Sequence, residues 1–282
     1  MSDTPSRLCK YLAPKRALSV LEGLMIRFSQ VSVLNDATEF RPPTLGIGDR
    51  SSIMDELQER FEKKFPGRLA SYRTLLPETE VERIIQESMV ESASKVEAGF
   101  ELTREKIYQR LDENFGILSL SESPAQKLLW GHYADGDRGY LLEFNAAHSW
   151  FWQKREERDG FRHLRPVKYV EFREAKYLFD LTDDDVLYTK YRDWEYEKEW
   201  RIIQNFNAAS VKMGPDDYGK DVLLFAIPPD CITGVVSGLR ADEAFTARLR
   251  GVVHSNSMLS HVAFSRITER NGELEVVSDN AG

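Results

Sequence analysis

The sequence predicts an α+β fold, with a mostly antiparallel, curved sheet and a block of helices inserted into it. Short apolar or alternating segments cover most of the chain, whereas apolar residues recur at helical spacing between about residues 50 and 115. No internal repeat or low-complexity linker divides the 282 residues. We therefore expect a single domain spanning 1–282, with a helical insertion at about 50–115 and a polar tail at about 270–282 that frays.

The first elements are predicted to run strand, helix, strand. Leu8 to Leu12 is typical of a short strand, and Pro14 stands where a helix would begin. An apolar pattern at helical spacing follows and ends near Gly23. Met25 to Ser29 predicts the second strand, which leads into a turn at Asn35-Asp36.

The middle of the chain predicts helices and the rest predicts strands. The segment 50–115 is dense in Glu, Arg and Lys and is interrupted at Pro66-Gly67 and at Pro77. After Gly116 strand patterns dominate. The candidate strands are 117–120, 139–144, 167–172, 200–205, 222–227, 232–237 and 262–267, with a helix at 242–252. This succession of strands favours the antiparallel sheet.

Composition excludes several classes of protein. The 46 acidic and 38 basic residues give a net charge of −8, which argues against wholesale binding to DNA or to anionic membranes. Cys9 and Cys231 have no second ligand at usable spacing, so no zinc site is expected. There is no apolar signal region and no run long enough to span a membrane, so we expect a cytoplasmic protein without a membrane partner.

Missing motifs exclude further classes. Gly46-Ile47-Gly48 lacks the lysine and the strand-turn-helix setting of a phosphate-binding loop, and no G-x-S-x-G sequence occurs. Kinases, P-loop enzymes, Rossmann dehydrogenases and α/β-hydrolases are therefore not expected.

Two short segments carry the chemistry of the chain, Trp130 to Ala134 and Trp194 to Arg201. Both place aromatic rings beside titratable groups. A Trp ring favours burial while its N–H needs a partner, and a carboxylate beside such rings needs a compensating cation or hydrogen bond. Core packing seldom requires this combination. We predict that the two segments form the walls of one ligand pocket.

The acidic segment has two possible geometries. If Tyr196 to Ile203 is extended, Glu197, Glu199 and Arg201 share one face, as suits a polar cleft. If it is helical, Glu197 and Arg201 form an ordinary i,i+4 pair. In either geometry, a solvated ladder of charges is the alternative to a site.

The other candidate residues also allow two interpretations. His132 lies in an aromatic stretch, where an imidazole can transfer a proton near neutral pH or can be tied within the core. Tyr133 can stack on a planar ligand or fill the core. Asn35 and Asp36 can bind ligand hydroxyls or simply form a turn.

The order of these motifs resembles a poorly characterised bacterial family of unknown-function domains, some of whose members occur near phage-defence and abortive-infection genes. The resemblance covers most of the chain outside 45–115 and the tail. The motifs that carry it are Lys10-Tyr11, Gly23, Phe28-Ser29, Asn35-Asp36 with Glu39, Ser119 to Glu122, Trp130 to Ala134, Gly139 to Phe144, Lys190 to Arg201 and Ile232 to Gly238. Ala37 departs from the family pattern, which more often has proline there.

A more remote resemblance is to the ADP-ribosyltransferases that modify DNA or RNA. These enzymes also open strand, helix, strand, with a polar residue on the first strand and a catalytic glutamate on a late strand. The resemblance implies NAD as the nucleotide, a nucleic-acid or protein acceptor, and Glu199 or Glu197 as the carboxylate at the reacting ribose. Lys10-Tyr11 stands where the first-strand His or Arg is typical.

The predicted site follows from these patterns and resemblances. Catalytic roles are predicted for Glu199, Glu197 and His132. Binding roles are predicted for Lys10, Tyr11, Ser29, Asn35, Asp36, Trp130, Tyr133 and Arg201. On this hypothesis Lys10 or His132 holds ribose or phosphate, and an aromatic ring stacks on nicotinamide.

Two other classes of function stay open at this stage. A nuclease could gather Mg²⁺ with Asp36, Glu39, Glu143 and Glu199. A non-catalytic sensor could use the same aromatic pocket to bind a nucleotide or a phage component.

Overall fold

The computed structural model describes residues 4–36, 38–64, 76–154 and 160–279. The helices are α1 Pro14–Gly23, α2 Arg50–Lys64, α3 Glu78–Ala98, α4 Phe100–Asn114, α5 Lys127–Tyr133, α6 Asp183–Leu187 and α7 Glu243–Ser255. The strands are β1 Arg7–Leu12, β2 Met25–Arg27, β3 Thr44–Gly46, β4 Phe115–Ser121, β5 Tyr140–Asn145, β6 Arg165–Pro166, β7 Lys168–Val170, β8 Lys176–Tyr177, β9 Thr189–Tyr191, β10 Glu199–Asn205, β11 Val211–Pro215, β12 Asp221–Ala226, β13 Ile232–Ser237, β14 Ala263–Arg270 and β15 Glu273–Ser278. None of the helices in these ranges is long and apolar enough to cross a membrane.

The chain folds as two compact units. Unit 1 comprises Met1–Ala37, Asp112–Glu171 and Tyr188–Gly282, and unit 2 comprises Thr38–Leu111 and Phe172–Leu187. Unit 2 contains most of the helical block that the sequence predicts at 50–115. It also contains a returning segment, in which β8 pairs in parallel with β3, that the sequence pattern did not indicate.

Unit 1 is built on an eight-stranded sheet in the order β15-β14-β13-β5-β1-β4-β10-β6. Every neighbouring pair is antiparallel except β13 and β14, which are joined through α7 and run parallel. A second sheet of order β11-β12-β2 and a parallel pair of β7 with β9 complete the unit. The predicted α+β class with a mostly antiparallel sheet is confirmed.

The two faces of the large sheet bury different side chains. Successive residues of a strand point to opposite faces, so Leu8 and Leu142 join the larger core while Tyr11 and Leu141 join a smaller one. Trp130 of α5 packs into the smaller core. This alternation places the aromatic segment of α5 on the same side of the sheet as Tyr11.

The sheet opens between β1 and β4. Whereas β1 pairs with β5 along its whole length, its described pairing with β4 is limited to Cys9 and Ser121. Farther along β4, Ile117 instead exchanges backbone hydrogen bonds of 2.9 Å with Ser29. Backbone groups of β4 beyond this pair therefore need partners other than β1.

The C-terminal segment differs from the frayed tail that the sequence suggested. Residues 273–278 form β15, which pairs with β14 throughout, and Leu274 and Val276 pack on the smaller core. Asn271 and Gly272 both have positive φ, as a two-residue hairpin turn requires. A local hairpin signal and alternating apolar residues thus order a segment whose composition is polar.

Candidate functional site

Four charged side chains in unit 1 form a buried group that we name the ion cluster: Lys190, Glu197, Glu199 and Arg201. The Lys190 ammonium donates to Glu197 Oε2 at 2.6 Å and to Glu199 Oε2 at 3.3 Å. The Arg201 guanidinium donates to Glu199 through Nε at 2.7 Å and through Nη2 at 2.8 Å. All four side chains are at most 6% exposed. Because the four side chains are buried, each charge is stabilised by its charged partners and not by water.

The backbone brings these residues together from three elements. Lys190 lies on β9, and Glu197 ends a short 3-10 helix, Arg192–Glu197. Lys198 then adopts a left-handed conformation with φ 42° and ψ 54°, after which β10 begins at Glu199. The extended prediction for 196–203 is therefore right from Glu199 onward and wrong for 196–198, where the chain turns. The α-helical alternative, with Glu197 and Arg201 as an i,i+4 pair, is wrong because Arg201 lies within β10.

A chain of hydrogen bonds connects the ion cluster with the protein surface. The Tyr133 hydroxyl donates to Glu197 Oε1 at 2.7 Å, and Asn35 Nδ2 donates to the same hydroxyl at 2.6 Å. Asn35 is exposed and Tyr133 is half-buried. The structure thus brings the segments 130–134 and 194–201 together at Tyr133 and Glu197, and the ligand pocket between them stays a prediction. Glu197 is the carboxylate directly joined to this chain of hydrogen bonds.

Burial and ion pairing oppose each other within the cluster. Burial raises the pKa of Glu199, although attraction to Lys190 acts against the rise. Burial disfavours the charge on Lys190, but attraction to Glu199 and Glu197 outweighs it and raises the pKa of the ammonium. Burial lowers the pKa of Arg201 to about 9, and the negative charge of Asp36 opposes that change. The half-buried Asp36 therefore adds a negative charge that favours the charged form of Arg201.

Lys10 lies on β1 beside the opening of the sheet. Its ammonium donates to the Ser119 carbonyl of β4 at 2.9 Å, and the residue is partly buried. Burial lowers the pKa of Lys10 to about 8, while attraction to Glu199 and Glu197 works in the opposite direction. A hydrogen bond from Ser119 also reaches Glu199. Lys10 of the first strand and Glu199 of β10 thus both form a hydrogen bond with Ser119 of β4.

Half-buried aromatic residues contact or face the ion cluster, and we call them the aromatic rim: Tyr133, Tyr169, Trp194 and Tyr196. The Lys190 ammonium lies 4.7 Å from the centre of the Trp194 ring, and the Tyr169 hydroxyl accepts from the backbone N–H of Glu199 at 2.8 Å. Burial, together with the charge of Glu197, raises the pKa values of Tyr133 and Tyr196. The rim therefore supplies neutral hydroxyls and flat apolar faces.

Other predicted residues lie outside the ion cluster. Trp130 and Tyr11 are buried with rings 5.1 Å apart in a T-shaped contact, and each donates to a backbone carbonyl, of Pro124 and Ser123 respectively. His132 is exposed on α5, where its ring centre is 6.2 Å from that of Tyr133. Ser29 is engaged through its backbone. The functional roles assigned to these residues stay predictions.

Sequence reasoning missed Lys190, Tyr169 and Ser119 as site residues. Lys190 has a weak local signal, since it stands between Thr189 and Tyr191 in an otherwise uncharged strand. Lys190 and Ser119 also begin two of the motifs that carry the family resemblance, although no site role was predicted for either. Tyr169 has no such signal, because its contact with Glu199 joins positions that are distant in sequence.

The carboxylates expected to gather Mg²⁺ do not form a metal-binding group. Within the described ranges, no three His, Cys, Asp or Glu side chains are placed to hold a metal ion. Glu143 instead pairs with Arg7 at 2.8 Å, and Glu39 belongs to unit 2.

Comparison with protein-family models matches residues 129–202 to a family described as "Protein of unknown function (DUF2971)". A comparison with curated proteins and one with solved structures found no match. The matched span begins in α5 and ends in β10, so it includes Tyr133, Tyr169 and Trp194. Residues 129–202 are thus similar to an uncharacterised family over the span that contains the entire ion cluster.

Proposed function

We propose that this chain is an NAD-dependent enzyme resembling ADP-ribosyltransferases, which transfers ADP-ribose to a nucleic-acid or protein acceptor. The observation that carries the proposal is the proximity of Lys10 on the first strand to Glu197 and Glu199, whose charges both act on it, beside Ser119 of β4. A polar first-strand residue beside late-strand glutamates is the arrangement that the remote resemblance implies. A role in bacterial stress or phage defence belongs to the same proposal.

The two glutamates have different parts in the proposed reaction. Cleavage of the nicotinamide–ribose bond passes through an oxocarbenium-like state, which a nearby carboxylate stabilises. Glu197 is the better candidate for that carboxylate, because Tyr133 and Asn35 connect it with the surface. Glu199 is held by two bonds from Arg201 and one from Lys190, so its part is to keep Lys190 and hence Glu197 in place.

The surrounding groups suit a dinucleotide. The faces of Trp194 and Tyr196 in the aromatic rim can stack on planar rings, and their rings lie 6.1 Å apart and inclined by 35°. The Lys10 ammonium has one described acceptor, so it retains N–H groups for a phosphate or a ribose hydroxyl. These donors and rings fit NAD without requiring a metal.

NAD⁺ calorimetry and a nicotinamide-release assay test the proposal on the wild type and on the variants Glu197→Gln and Glu199→Gln. We expect binding by all three and a loss of release of about 100-fold or more for Glu197→Gln, since the amide cannot balance positive charge. Glu195→Gln is the matched control, because Glu195 is exposed in the same short helix and its side chain has, among the described residues, a single ion pair, the 3.8 Å contact with Arg192. Absence of NAD⁺ binding by the wild type, or unchanged release by both site variants, contradicts the proposal.

A nucleotide-binding sensor without turnover is the second candidate function. It is favoured by the hydrogen bonds of both glutamates, since each carboxylate oxygen of Glu197 and of Glu199 already accepts a bond from a protein group. The double variant Glu197→Gln, Glu199→Gln separates the two candidates. Nucleotide binding that survives in this variant, together with no release by the wild type, supports the sensor.

A further inference from the structure

The motif Ser119 to Glu122 lies at the end of β4, beside the turn that joins Glu197 to Glu199. The Ser121 side chain is buried, and its hydroxyl donates to the Glu197 carbonyl oxygen at 2.6 Å. The same hydroxyl oxygen accepts from the backbone N–H of Ser123 at 3.1 Å. Ser121 is also the partner of Glu199 in the ladder between β4 and β10. One serine therefore contacts the chain on both sides of the turn.

Glu122 contacts the turn at the next residue. Its backbone N–H donates to the Lys198 carbonyl oxygen at 3.2 Å, and its carboxylate accepts from the Trp200 indole N–H at 2.6 Å. Lys198 has φ 42°, a conformation that is costly for residues other than glycine and that persists where the surrounding contacts hold it. The carbonyl groups of Glu197 and Lys198 both accept bonds from the motif, so β4 fixes the turn.

The conformation of the turn decides where the Glu197 carboxylate points. In a continuous strand, two residues that share a face are about 6–7 Å apart along the chain. The left-handed residue Lys198 turns the chain instead, and both carboxylates reach the Lys190 ammonium, at 2.6 Å for Glu197 and at 3.3 Å for Glu199. Glu197 also accepts from the Tyr133 hydroxyl at 2.7 Å. A change in the backbone angles at Lys198 would therefore move the Glu197 carboxylate away from both donors.

We infer that Ser121 is a positioning residue for Glu197, and that Glu122 supports it by holding Lys198. The inference rests on the proposed function for the reaction that Glu197 serves, whereas the way in which Glu197 is held follows from the contacts of the turn. Ser121 acts through the backbone of Glu197 and not on the ribose itself. Its loss should therefore lower the rate of the reaction more than the affinity for NAD⁺.

Nicotinamide release by the variant Ser121→Ala gives the first readout. We expect kcat to fall at least about tenfold while KM for NAD⁺ changes less than about threefold, because Lys10 and the aromatic rim are unaltered. Ser237→Ala is the matched control, since Ser237 is a buried serine on β13 of the same sheet, and it should leave both constants unchanged. An unchanged kcat for Ser121→Ala, with or without a rise in KM, overturns the positioning role.

A double-mutant cycle with Tyr133→Phe tests the same role without NAD⁺. If Ser121 holds Glu197 against Tyr133, the fall in urea midpoint caused by Tyr133→Phe should be at most about half as large in the Ser121→Ala background as in the wild type. In the Ser237→Ala background the fall should equal that in the wild type. Equal falls in all three backgrounds overturn the inference, and so does a wild type whose midpoint Tyr133→Phe leaves unchanged. Glu122→Ala, at an exposed position, provides the same cycle if Ser121→Ala does not fold.

The two readouts separate a failure of this inference from a failure of the proposed function. A wild type that releases no nicotinamide, together with coupling between Ser121 and Tyr133, rejects the proposed function and keeps Ser121 as the residue that positions Glu197. A wild type that releases nicotinamide, together with additive effects of Ser121→Ala and Tyr133→Phe, keeps the proposed function and rejects the positioning role.

Discussion

Ion pairs of similar length occur in two regions of the molecule, one exposed to solvent and the other buried. In α3, Arg83 contacts Glu80 at 2.5 Å and Glu87 at 2.6 Å, with side chains 54%, 40% and 65% exposed. In the ion cluster, contacts of similar length join side chains that are at most 6% exposed. The distances alone do not distinguish a helix surface from a candidate site, so the difference lies in the surrounding solvent.

This difference decides what each group of charges can do. Water and salt screen the pairs of α3, and the flexible side chains lose entropy when they are held in one geometry. In the ion cluster, water cannot take the place of a lost partner, because the side chains are buried. Each side chain is therefore held in position by the hydrogen bonds with its neighbours. Such preorganisation is costly for stability but is what a binding or catalytic site requires.

Lys190→Met gives the largest expected effect. The substitution keeps the approximate length of the side chain but removes the ion pair of Lys190 with Glu197, while Glu199 keeps its two bonds from Arg201. We expect a loss of about 3–5 kcal/mol in the free energy of unfolding, measured by urea denaturation at pH 7, because an uncompensated charge remains buried.

Lys212→Met is the control for that substitution. Lys212 is 68% exposed and contacts Asp221 at 2.6 Å, so its loss should leave the urea midpoint nearly unchanged. Adding Glu197→Gln to Lys190→Met should recover part of the stability, since it removes the charge that lost its partner. If Lys190→Met and Lys212→Met lower the urea midpoint equally, burial does not make the ion pairs of Lys190 more important for stability than an exposed pair.

Tyr133→Phe sharpens the comparison with a smaller effect. The ring stays and the hydroxyl that donates to Glu197 is removed, so one bond to a charged group is lost. We expect about 1.5 kcal/mol of destabilisation in the same denaturation measurement. Tyr196→Phe is the matched control from the aromatic rim, because its hydroxyl has no hydrogen bond within the described ranges. If both variants unfold at the same urea concentration, the link between Tyr133 and Glu197 contributes nothing to stability.

The fold was predictable where the pattern is local. Segment 232–237 is β13, segment 139–144 is displaced by one residue in β5, and Pro14 begins α1. In each of these, alternation or a residue with restricted φ acts on its immediate neighbours. The C-terminal hairpin also has a local signal in Asn271-Gly272, although the polar composition around that turn favours a frayed tail.

The site was predictable only in part, since its contacts join distant positions. Glu197, Glu199 and Arg201 were found because they are close in sequence. The hydrogen bonds of Asn35 with Tyr133 and of Lys10 with Ser119 span 98 and 109 residues. Periodicity can place each residue on a face, but strand order decides which faces meet. Lys190 was missed for that reason, as β9 pairs with β7 outside the large sheet.

Arg83→Ala gives the smallest expected effect and tests the other side of the comparison. Arg83 takes part in two short ion pairs, and attraction to Glu80 and Glu87 raises its pKa, so geometry alone would suggest a stabilising network. The three side chains are solvated, however, and alanine is the better helix former, which offsets the lost contacts. We expect the urea midpoint of the variant to match that of the wild type, in both low and high salt. A clear destabilisation that disappears in high salt would mean that these exposed pairs contribute to stability, and the contrast with the ion cluster would then be one of degree.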